Sequence, residues 1–332
     1  MNITVAGSGS WGTALALCLC ENGHEVTLWS HNPQKAKLMA ETRINPALKD
    51  IPLPENMNIT GDARCVGASE LVVIASPSFA IRSVCRAVAP HLAPEAIMVS
   101  VTKGIEPGTL LRMSQIVEAE CSRSVVALTG PSHAEEVARR LPTACLAACP
   151  DREKAEKVQD AFMNEYFRIY TSPDILGAEL GGAIKNVMAI CAGFCDGMGF
   201  GDNTKSMLIT RGLTEMARLG TAMGGRHETF AGLAGVGDLT VTCCSTHSRN
   251  CRAGRYIGSG MSLDEAMKAA GGVVEGYYAA ASIHELAKGQ NVDMPIVNAA
   301  YGVLYEGLDT KEAISSLMNR SRKAESQFMG WE

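Results

Sequence analysis

The first half of this 332-residue chain alternates short β-rich runs with helix-length stretches, and this alternation constrains its fold more than any other feature. Chains with this pattern form a mostly parallel sheet with helices on both faces. The expected strands are Ile3–Ala6, Glu25–Trp29, Leu71–Ala75, Ala96–Val101, Ser124–Leu128, Thr143–Ala148 and Phe167–Tyr170. The expected helices between them are Thr13–Glu21, Ala80–Ala89, Leu110–Glu120 and Arg152–Asn164. The pattern predicts an α/β protein with an N-terminal, Rossmann-like sheet, in which the proline-rich segment Ile44–Pro54 is an irregular loop.

After Pro173 the pattern changes, because strand signals largely end there. The expected helices that follow are Asp174–Gly193, Thr204–Met223, Ser262–Ala270, Tyr277–Lys288, Met294–Tyr305 and Thr310–Leu317. A chain of this length corresponds to about two domains. We therefore expect the sheet domain to cover residues 1–172 and an all-helical domain to cover residues 173–332.

Composition and charge exclude several classes of partner. The net charge of −5 and the pI of about 5.9 indicate no basic surface for nucleic acid or an anionic membrane. No apolar run is expected to reach the roughly 18 residues that cross a bilayer, and the start of the chain lacks the basic region of a signal peptide. The twelve cysteines lie mostly in apolar segments, without zinc-binding spacing. We therefore expect a protein of the reducing cytoplasm without a structural metal.

The motif Gly7-Ser-Gly9-Ser10-Trp11-Gly12 follows the first expected strand and opens a helix, which is the context of a dinucleotide site. Its glycines allow a tight turn and let backbone N–H groups approach a pyrophosphate. About 20 residues later, an NAD-binding fold offers a carboxylate to the ribose, but this chain reads Trp29-Ser30-His31-Asn32. Since no acid repels a 2′-phosphate and His31 could contact one, NADP(H) is favoured over NAD(H). The alternative for His31 is an exposed loop histidine.

Two further segments lie at the carboxyl edge of the expected sheet, which is the ligand side of such folds. Lys103 follows the strand that ends at Val101, and is either a site residue or a solvated loop lysine. The segment from Gly130 to Glu135 leads from another strand into a helix. Ser132 in this segment has capping-box spacing to Glu135, so it is a helix cap, a ligand contact or both.

The first helix of the second domain carries an isolated charge. Between Glu179 and Asp196 every residue is apolar or small, apart from Lys185 and Asn186. Removal from water lowers the pKa of a lysine towards the range in which it exchanges protons. Lys185 is therefore a candidate acid–base residue, unless its ammonium reaches solvent along the apolar surface.

Later polar segments are compatible with a small anionic ligand. Asp238 lies in a glycine-rich turn, and Ser248-Arg249-Asn250 offers an arginine fork and a neutral donor to a phosphate. A solvated helix start is the alternative for the second segment. Val273 and Glu275 lie in another glycine-flanked turn, which predicts little by itself.

Together these motifs resemble the NAD(P)-dependent glycerol-3-phosphate dehydrogenases of the bacterial type over almost the whole chain. The similarity covers G-x-G-S-W-G-T-A, V-T-K-G, G-P-S-x-A-x-E, L-G-G-A-x-K-N, G-x-G-D-L-x-x-T, S-R-N-x-x-x-G and V-x-E-G, in that order. The resemblance implies reversible reduction of dihydroxyacetone phosphate to sn-glycerol 3-phosphate with NADP(H) or NAD(H), supplying the glycerophospholipid backbone. We expect a small-molecule substrate and no nucleic-acid or membrane partner, and the helical second domain is compatible with a homodimer.

The resemblance also implies roles for individual residues. Lys185 would donate and accept the proton, Lys103 would lie between nicotinamide and substrate, and Asp238 would lie beside Lys185. The expected cofactor contacts are Gly7, Gly9, Ser10, Trp11, Gly12, His31, Lys103, Ala134, Arg249, Val273 and Glu275. The expected substrate contacts are Lys103, Gly130, Ser132, Lys185, Asp238, Ser248, Arg249 and Asn250. No residue is expected to bind a metal.

Two segments depart from the family pattern on the cofactor side. Asn45-Pro-Ala-Leu-Lys-Asp50 lacks the Tyr and Gly of N-P-x-Y-L-P-G, and Ala75-Ser-Pro-Ser78-Phe79 replaces A-V-P-S-Q. These departures bear on cofactor preference and affinity rather than on the reaction.

Two other functions are weighed against this one. A related two-domain reductase of a β-hydroxy acid or keto acid also places a lysine on the first helix of its second domain, but it has no need for a phosphate clamp at Ser248-Arg249-Asn250. A dinucleotide sensor without catalysis needs the glycine loop, but has no reason to keep Lys103, Lys185 and Asp238 together.

Overall fold

The computed structural model describes residues 1–322, 324 and 325. Its strands are β1 Asn2–Ala6, β2 Glu25–Trp29, β3 Asn58–Thr60, β4 Leu71–Ile74, β5 Ile97–Ser100, β6 Val125–Thr129, β7 Thr143–Ala148 and β8 Phe167–Ser172. They form one sheet in the order β3-β2-β1-β4-β5-β6-β7-β8. Neighbouring strands are parallel except β6 and β7, which are antiparallel. The mostly parallel sheet expected from the sequence is confirmed.

Strand β3 is an addition to the seven expected strands. It is three residues long, with the sequence Asn-Ile-Thr, and it pairs in parallel with the end of β2 at the edge of the sheet. A segment this short shows no clear period of two, so its pairing partner defines it as a strand.

Helices cover both faces of the sheet and make up the rest of the described chain. Those of the sheet region are α1 Ser10–Glu21, α2 Pro33–Thr42, α3 Ile81–Val88, α4 Met113–Cys121, α5 Ala134–Ala138 and α6 Arg152–Phe162. Those that follow are α7 Ile175–Gly197, α8 Asp202–Ala222, α9 His227–Phe230, α10 Asp238–Cys244, α11 Arg249–Gly258, α12 Leu263–Ala269, α13 Glu275–Gly289, α14 Pro295–Tyr305 and α15 Thr310–Met318. The expected helices are present, whereas α2, α9 and α10 were not expected, and α11 was expected only as the alternative, a solvated helix start, for Ser248-Arg249-Asn250.

The strand order reverses between β1 and β4, which are neighbours in the sheet. Ligands of open α/β sheets bind in the crevice at such a reversal, outside the carboxyl ends of the strands. The glycine motif joins β1 to α1 at this crevice. The topology therefore places the motif where a dinucleotide binds.

The sheet region and the helical region meet at a short connection. Strand β8 ends at Ser172 and α7 begins at Ile175, and no strand follows within the described residues. We retain the division at residue 172 as a proposal, which these bounds support. The last seven residues of the second expected domain lie outside the described part of the chain.

Helix α7 is the centre of the helical region, where α8, α10, α11, α13 and α14 surround it. With 23 residues and a mean hydropathy of 1.4, it is long and apolar enough to cross a membrane by length and composition. The expectation that no apolar run reaches this length is therefore wrong. The neighbouring helices bury 89% of its apolar window, so α7 forms the core of the helical region.

Candidate active site

A cleft of about 300 Å³ lies between the carboxyl edge of the sheet and the helices that follow it. The expected site residues that line it are Gly9, Ser10, Trp11, Gly12, Lys103, Ser132, Ala134, Lys185, Ser248, Arg249, Asn250, Val273 and Glu275. Thus residues from six separate parts of the sequence meet in one place.

The glycine turn at one end of this cleft has the shape that a pyrophosphate requires. Gly7 has a φ of +138°, and a Cβ atom there would lie 2.2 Å from the carbonyl oxygen of Ala75. A Cβ on Gly12 would lie 2.0 Å from the carbonyl oxygen of Gly7, whereas the space around Gly9 is open. No side chain caps the N-terminus of α1, so its first N–H groups face the cleft without a competing acceptor from Gly9. The turn therefore fits a dinucleotide.

Lys185 is buried and donates hydrogen bonds to two oxygens. Its Nζ atom lies 2.6 Å from Oδ1 of Asp238 and 2.7 Å from Oγ1 of Thr242. The Thr242 hydroxyl in turn donates to the backbone carbonyl of Asp238, 2.6 Å away. Because the side chain of Lys185 is only 8% exposed, its ammonium does not reach bulk solvent, and the snorkelling alternative is wrong.

Lys103 meets the same carboxylate from the side of the sheet. Its Nζ atom lies 2.6 Å from Oδ2 of Asp238 and 3.1 Å from the carbonyl oxygen of Gly130. The stem of Lys103 packs over Gly182 of α7, where a Cβ would lie 3.4 Å from Cγ of the lysine. Two ammonium groups therefore share one buried carboxylate, which leaves the cluster with a net positive charge.

Close packing against α7 fixes Asp238 in this position. The π-helical turn Leu233–Gly237 precedes α10, and π-helical turns are frequent at functional sites. A Cβ on Gly181 of α7 would lie 2.2 Å from the carbonyl oxygen of Ala234 in this turn. Only glycine permits that approach, and it brings Asp238 within reach of Lys185.

The electrostatics of the cluster set the protonation of its members. Burial lowers the pKa of Lys185 to about 8, although the negative charge of Asp238 opposes the shift. Burial raises the pKa of Asp238, but the charges and hydrogen bonds of Lys103 and Lys185 outweigh burial and bring it below its ordinary value. Asp238 is therefore ionised at neutral pH, and Lys185 can both give and take a proton.

The N-terminus of α11 forms the other end of the cleft. Ser248 caps this ten-residue helix by accepting the N–H of Cys251 at 3.2 Å, and the side chain of Arg249 is exposed to the cleft. Asn250 donates to Oδ1 of Asn186 and accepts the N–H of Gly276, each at 2.9 Å. A guanidinium and a helix N-terminus side by side suit a phosphate.

Helix α11 reaches this position because it packs on α7 through glycines. A Cβ on Gly193 would lie 2.1 Å from the carbonyl oxygen of Cys251, and one on Gly254 would lie 2.1 Å from the carbonyl oxygen of Ile190. The two backbones are therefore in direct contact. This contact holds Asn250 against Asn186, one residue after Lys185.

The segment Ser78–Phe79 joins the sheet region to α13 beside the cleft. The carboxylate of Glu275 accepts the backbone N–H of Ser78 at 3.0 Å and the Ser78 hydroxyl at 2.5 Å. The ring of Phe79 lies 5.7 Å from that of Tyr278, between centroids. One of the two segments that depart from the family pattern thus contacts both parts of the molecule.

Four expected site residues do not line the cleft. Asp238 lies behind the two lysines, Gly130 contributes its backbone carbonyl to Lys103, and Gly7 packs against the backbone of Ala75 within the glycine turn. His31 follows β2 as an exposed residue, as the alternative for it predicts. Asp238 and Gly130 act on the cleft by accepting hydrogen bonds from its lysines, and Gly7 acts by shaping the glycine turn. His31 lies outside the cleft.

Ser132 does not form the capping box with Glu135. Helix α5 begins at Ala134 with His133 as its N-cap residue, so Ser132 lies one position too early to cap it. The Ser132 hydroxyl donates instead to the carbonyl oxygen of Gly130, 3.0 Å away. Ser132 lies on the cleft wall.

Thr242 and Asn186 are polar site residues whose roles the sequence did not reveal, and His133 and His247 also line the cleft. The rings of the two histidines are 5.7 Å apart, and burial lowers the pKa of His133. Thr242 follows Asp238 by four residues on α10, so a helix over this segment would have placed the two side chains together.

Within the described residues, no group of three or more His, Cys, Asp or Glu side chains could hold a metal ion.

Comparisons with known proteins agree with this geometry. The family models for the N-terminal and C-terminal parts of NAD-dependent glycerol-3-phosphate dehydrogenase match residues 2–155 and 174–315. A glycerol-3-phosphate dehydrogenase (NAD(P)+) of Geobacillus thermodenitrificans is 51% identical over 98% of this chain and 96% of its own. One from Thermoanaerobacter is 48% identical over 98% of this chain and 99% of its own.

A solved structure shows the same fold. The crystal structure of glycerol-3-phosphate dehydrogenase from Coxiella burnetii superposes with a TM-score of 0.92 and 36% identity, covering 96% of this chain and 99% of that one. Both halves of this chain match a single family in order, and its relatives match over nearly their whole length. The chain therefore belongs to the NAD-dependent glycerol-3-phosphate dehydrogenase family.

Proposed function

We propose that this protein catalyses the reversible, NAD(P)H-dependent reduction of dihydroxyacetone phosphate to sn-glycerol 3-phosphate. One observation carries the proposal: the lysine pair on Asp238 lies in the same cleft as the N-termini of α1 and α11. A dinucleotide site, an acid–base group and a phosphate site are the three parts that this reaction needs. The names of the relatives describe the same activity.

The substrate phosphate binds at the α11 end of the cleft. Arg249 offers a charged fork, and the N–H groups of the first turn of α11 offer further donors. Asn186 and Asn250 hold each other in place below this end, so the helix start is rigid. A phosphate fixed here orients the carbonyl carbon of a three-carbon ketone towards Lys103 and Lys185.

Lys185 acts on the carbonyl oxygen of the substrate. A nicotinamide bound in this cleft would supply a hydride to the carbonyl carbon. As negative charge develops on the oxygen, Lys185 donates a proton to it, and Lys103 adds positive potential at the same point. Asp238 and Thr242 orient the Lys185 ammonium and hold it charged in a buried environment. In the reverse direction, neutral Lys185 takes the proton from the hydroxyl group.

The residues proposed to contact the cofactor lie mainly in the glycine turn and on the opposite wall of the cleft. The N–H groups of Ser10, Trp11 and Gly12 at the start of α1 would hold the pyrophosphate of the dinucleotide. The other residues proposed to contact the cofactor are Gly7, Gly9, His31, Lys103, Ala134, Arg249, Val273 and Glu275. The substrate side consists of Lys103, Gly130, Ser132, Lys185, Asp238, Ser248, Arg249 and Asn250.

A keto acid reductase is the alternative enzyme. Such an enzyme needs a cationic site for a carboxylate next to the reacting carbon. Here the exposed guanidinium of Arg249 lies beside a helix N-terminus, which suits the three oxygens of a phosphate better. A sensor without catalysis has no use for two lysines on one buried carboxylate, so the dehydrogenase is the better explanation.

The test is to follow NADPH and NADH absorbance with dihydroxyacetone phosphate and with a panel of keto acids. We expect turnover with dihydroxyacetone phosphate and at most trace turnover with the keto acids. Preference for a keto acid would favour the alternative reductase. Nucleotide binding without turnover of any substrate would favour a sensor.

The cellular setting is part of the same proposal. All twelve cysteines carry free thiols and most are buried, as in proteins of a reducing cytoplasm. There, sn-glycerol 3-phosphate would supply the backbone of glycerophospholipids. We also propose a homodimer, with the sheet domain over residues 1–172 binding the dinucleotide and the helical domain over residues 173–332 binding the substrate.

A further inference from the structure

The end of β2 is built without a negative charge. Ser30 takes the position from which a carboxylate would bind the ribose hydroxyls of NAD(H), and it is fully buried. The Ser8 hydroxyl in the glycine turn donates to the Ser30 hydroxyl, 3.0 Å away. The adenosine ribose of this fold lies between the glycine turn and the end of β2, so nothing at these two positions repels a 2′-phosphate.

A lysine lies beside this ribose position. Lys35 is in the first turn of α2, and its Nζ atom donates to the carbonyl oxygen of Ser8 at 2.6 Å. The start of the helix directs it there, because Asn32 caps α2 by accepting the N–H of Lys35 at 3.1 Å and Pro33 forms the first helical residue. The ammonium is therefore fixed between α2 and the glycine turn.

The positive charge of Lys35 is not balanced by a nearby carboxylate among the described residues. Its side chain is half-buried and its pKa is lowered by burial, yet among the described residues no carboxylate forms an ion pair with it. Lys37, two residues later, is a contrast, because its side chain is 78% exposed and pairs with Glu41 at 3.8 Å. An anion beside Lys35 would supply the partner that the protein does not.

From these contacts we infer that Lys35 binds the 2′-phosphate of the adenosine ribose and makes the enzyme prefer NADP(H) to NAD(H). His31, the second residue after β2, is exposed. The inference rests on the proposed dinucleotide site. It goes beyond that proposal in assigning the choice between the two cofactors to one side chain.

The test compares Lys35→Met with Lys37→Met by titration calorimetry, without substrate. The probes are adenosine 2′,5′-bisphosphate and adenosine 5′-monophosphate, which differ only in the 2′-phosphate. We expect Lys35→Met to weaken bisphosphate binding by about 10–100-fold, the range for a hydrogen bond to a charged group, and monophosphate binding by less than about twofold. Lys37→Met should change neither affinity.

Two results would overturn the inference. An equal loss for both probes would mean that Lys35 only holds the glycine turn through Ser8. No loss for either probe would place the 2′-phosphate elsewhere. If Lys35 has no effect on cofactor choice, the wild-type enzyme should still reduce dihydroxyacetone phosphate with NADH. Steady-state rates with NADH therefore distinguish failure of this inference from failure of the proposed reaction.

Discussion

The Nζ atom of Lys185 lies 2.6 Å from Oδ1 of Asp238, and both side chains are buried. A buried carboxylate that holds a buried ammonium keeps a proton available where water does not reach. Lys103 occupies the other oxygen of the same carboxylate, so the negative charge is shared between two cations. The behaviour of this cluster determines how the reaction depends on pH.

The rate of each direction should follow the protonation of Lys185, whose pKa is about 8. Ketone reduction needs the ammonium, so its kcat should be highest below pH 8 and fall as the pH rises through that value. Oxidation of sn-glycerol 3-phosphate needs the neutral amine, so its kcat should rise over the same range. Profiles of kcat against pH for reduction and for oxidation measure these two trends. If kcat rose, or fell, with pH in both directions, the prediction would be contradicted.

Asp238→Asn should shift these limbs to lower pH. The charge of Asp238 raises the pKa of Lys185, so its removal leaves the opposing effects of burial and of Lys103. Reduction at pH 7 should fall, while the residual activity should peak at a more acidic pH than in wild type. An unchanged pH profile with lower activity would show that Asp238 acts only on structure.

Thr242→Val should lower kcat by about 10–100-fold, because it removes one hydrogen bond donated by the Lys185 ammonium and keeps the shape of the side chain. The matched control is Thr240→Val on the exposed face of the same helix. The KM for dihydroxyacetone phosphate should stay near its wild-type value in both variants. Equal kinetics for the two variants would remove Thr242 from the site.

Arg249→Ala should raise the KM for dihydroxyacetone phosphate by about 10–100-fold, since it removes a charged hydrogen bond to the phosphate. Arg255→Ala is the control, because Arg255 lies on the same helix and pairs with Asp196 at 3.1 Å, away from the cleft. Steady-state kinetics at saturating NADPH separate the two. A normal KM in Arg249→Ala would place the phosphate elsewhere.

The expected strands and most of the expected helices were predictable because they depend on local periodicity. Strand β3 was not, since three residues at a sheet edge are defined by their partner β2. Helices α9 and α10 were missed because they are four and seven residues long, shorter than the roughly 11–18 residues over which helical periodicity can be recognised.

The active-site residues likewise differ in how far local sequence predicts them. Lys185 was recognisable as a single charge in an apolar helix, which is a local signal. Its contact with Asp238 spans 53 residues of sequence and that of Lys103 spans 135, so no local pattern contains either contact. The family resemblance placed Asp238 beside Lys185 but did not give its contact with Lys103, and the packing of α7 on the turn before α10 gives the physical reason for the position of Asp238.

The most direct test of the account is the Lys185→Met variant, which keeps the volume of the buried side chain and removes the proton. Its kcat for dihydroxyacetone phosphate reduction should fall by at least about 10²–10⁴-fold, the usual contribution of general acid catalysis. Its Kd for NADPH, measured by fluorescence, should stay within about threefold of wild type, because the cofactor is held mainly by the glycine turn. A kcat within a few-fold of wild type, with NADPH binding intact, would contradict the assignment of Lys185 as the proton donor.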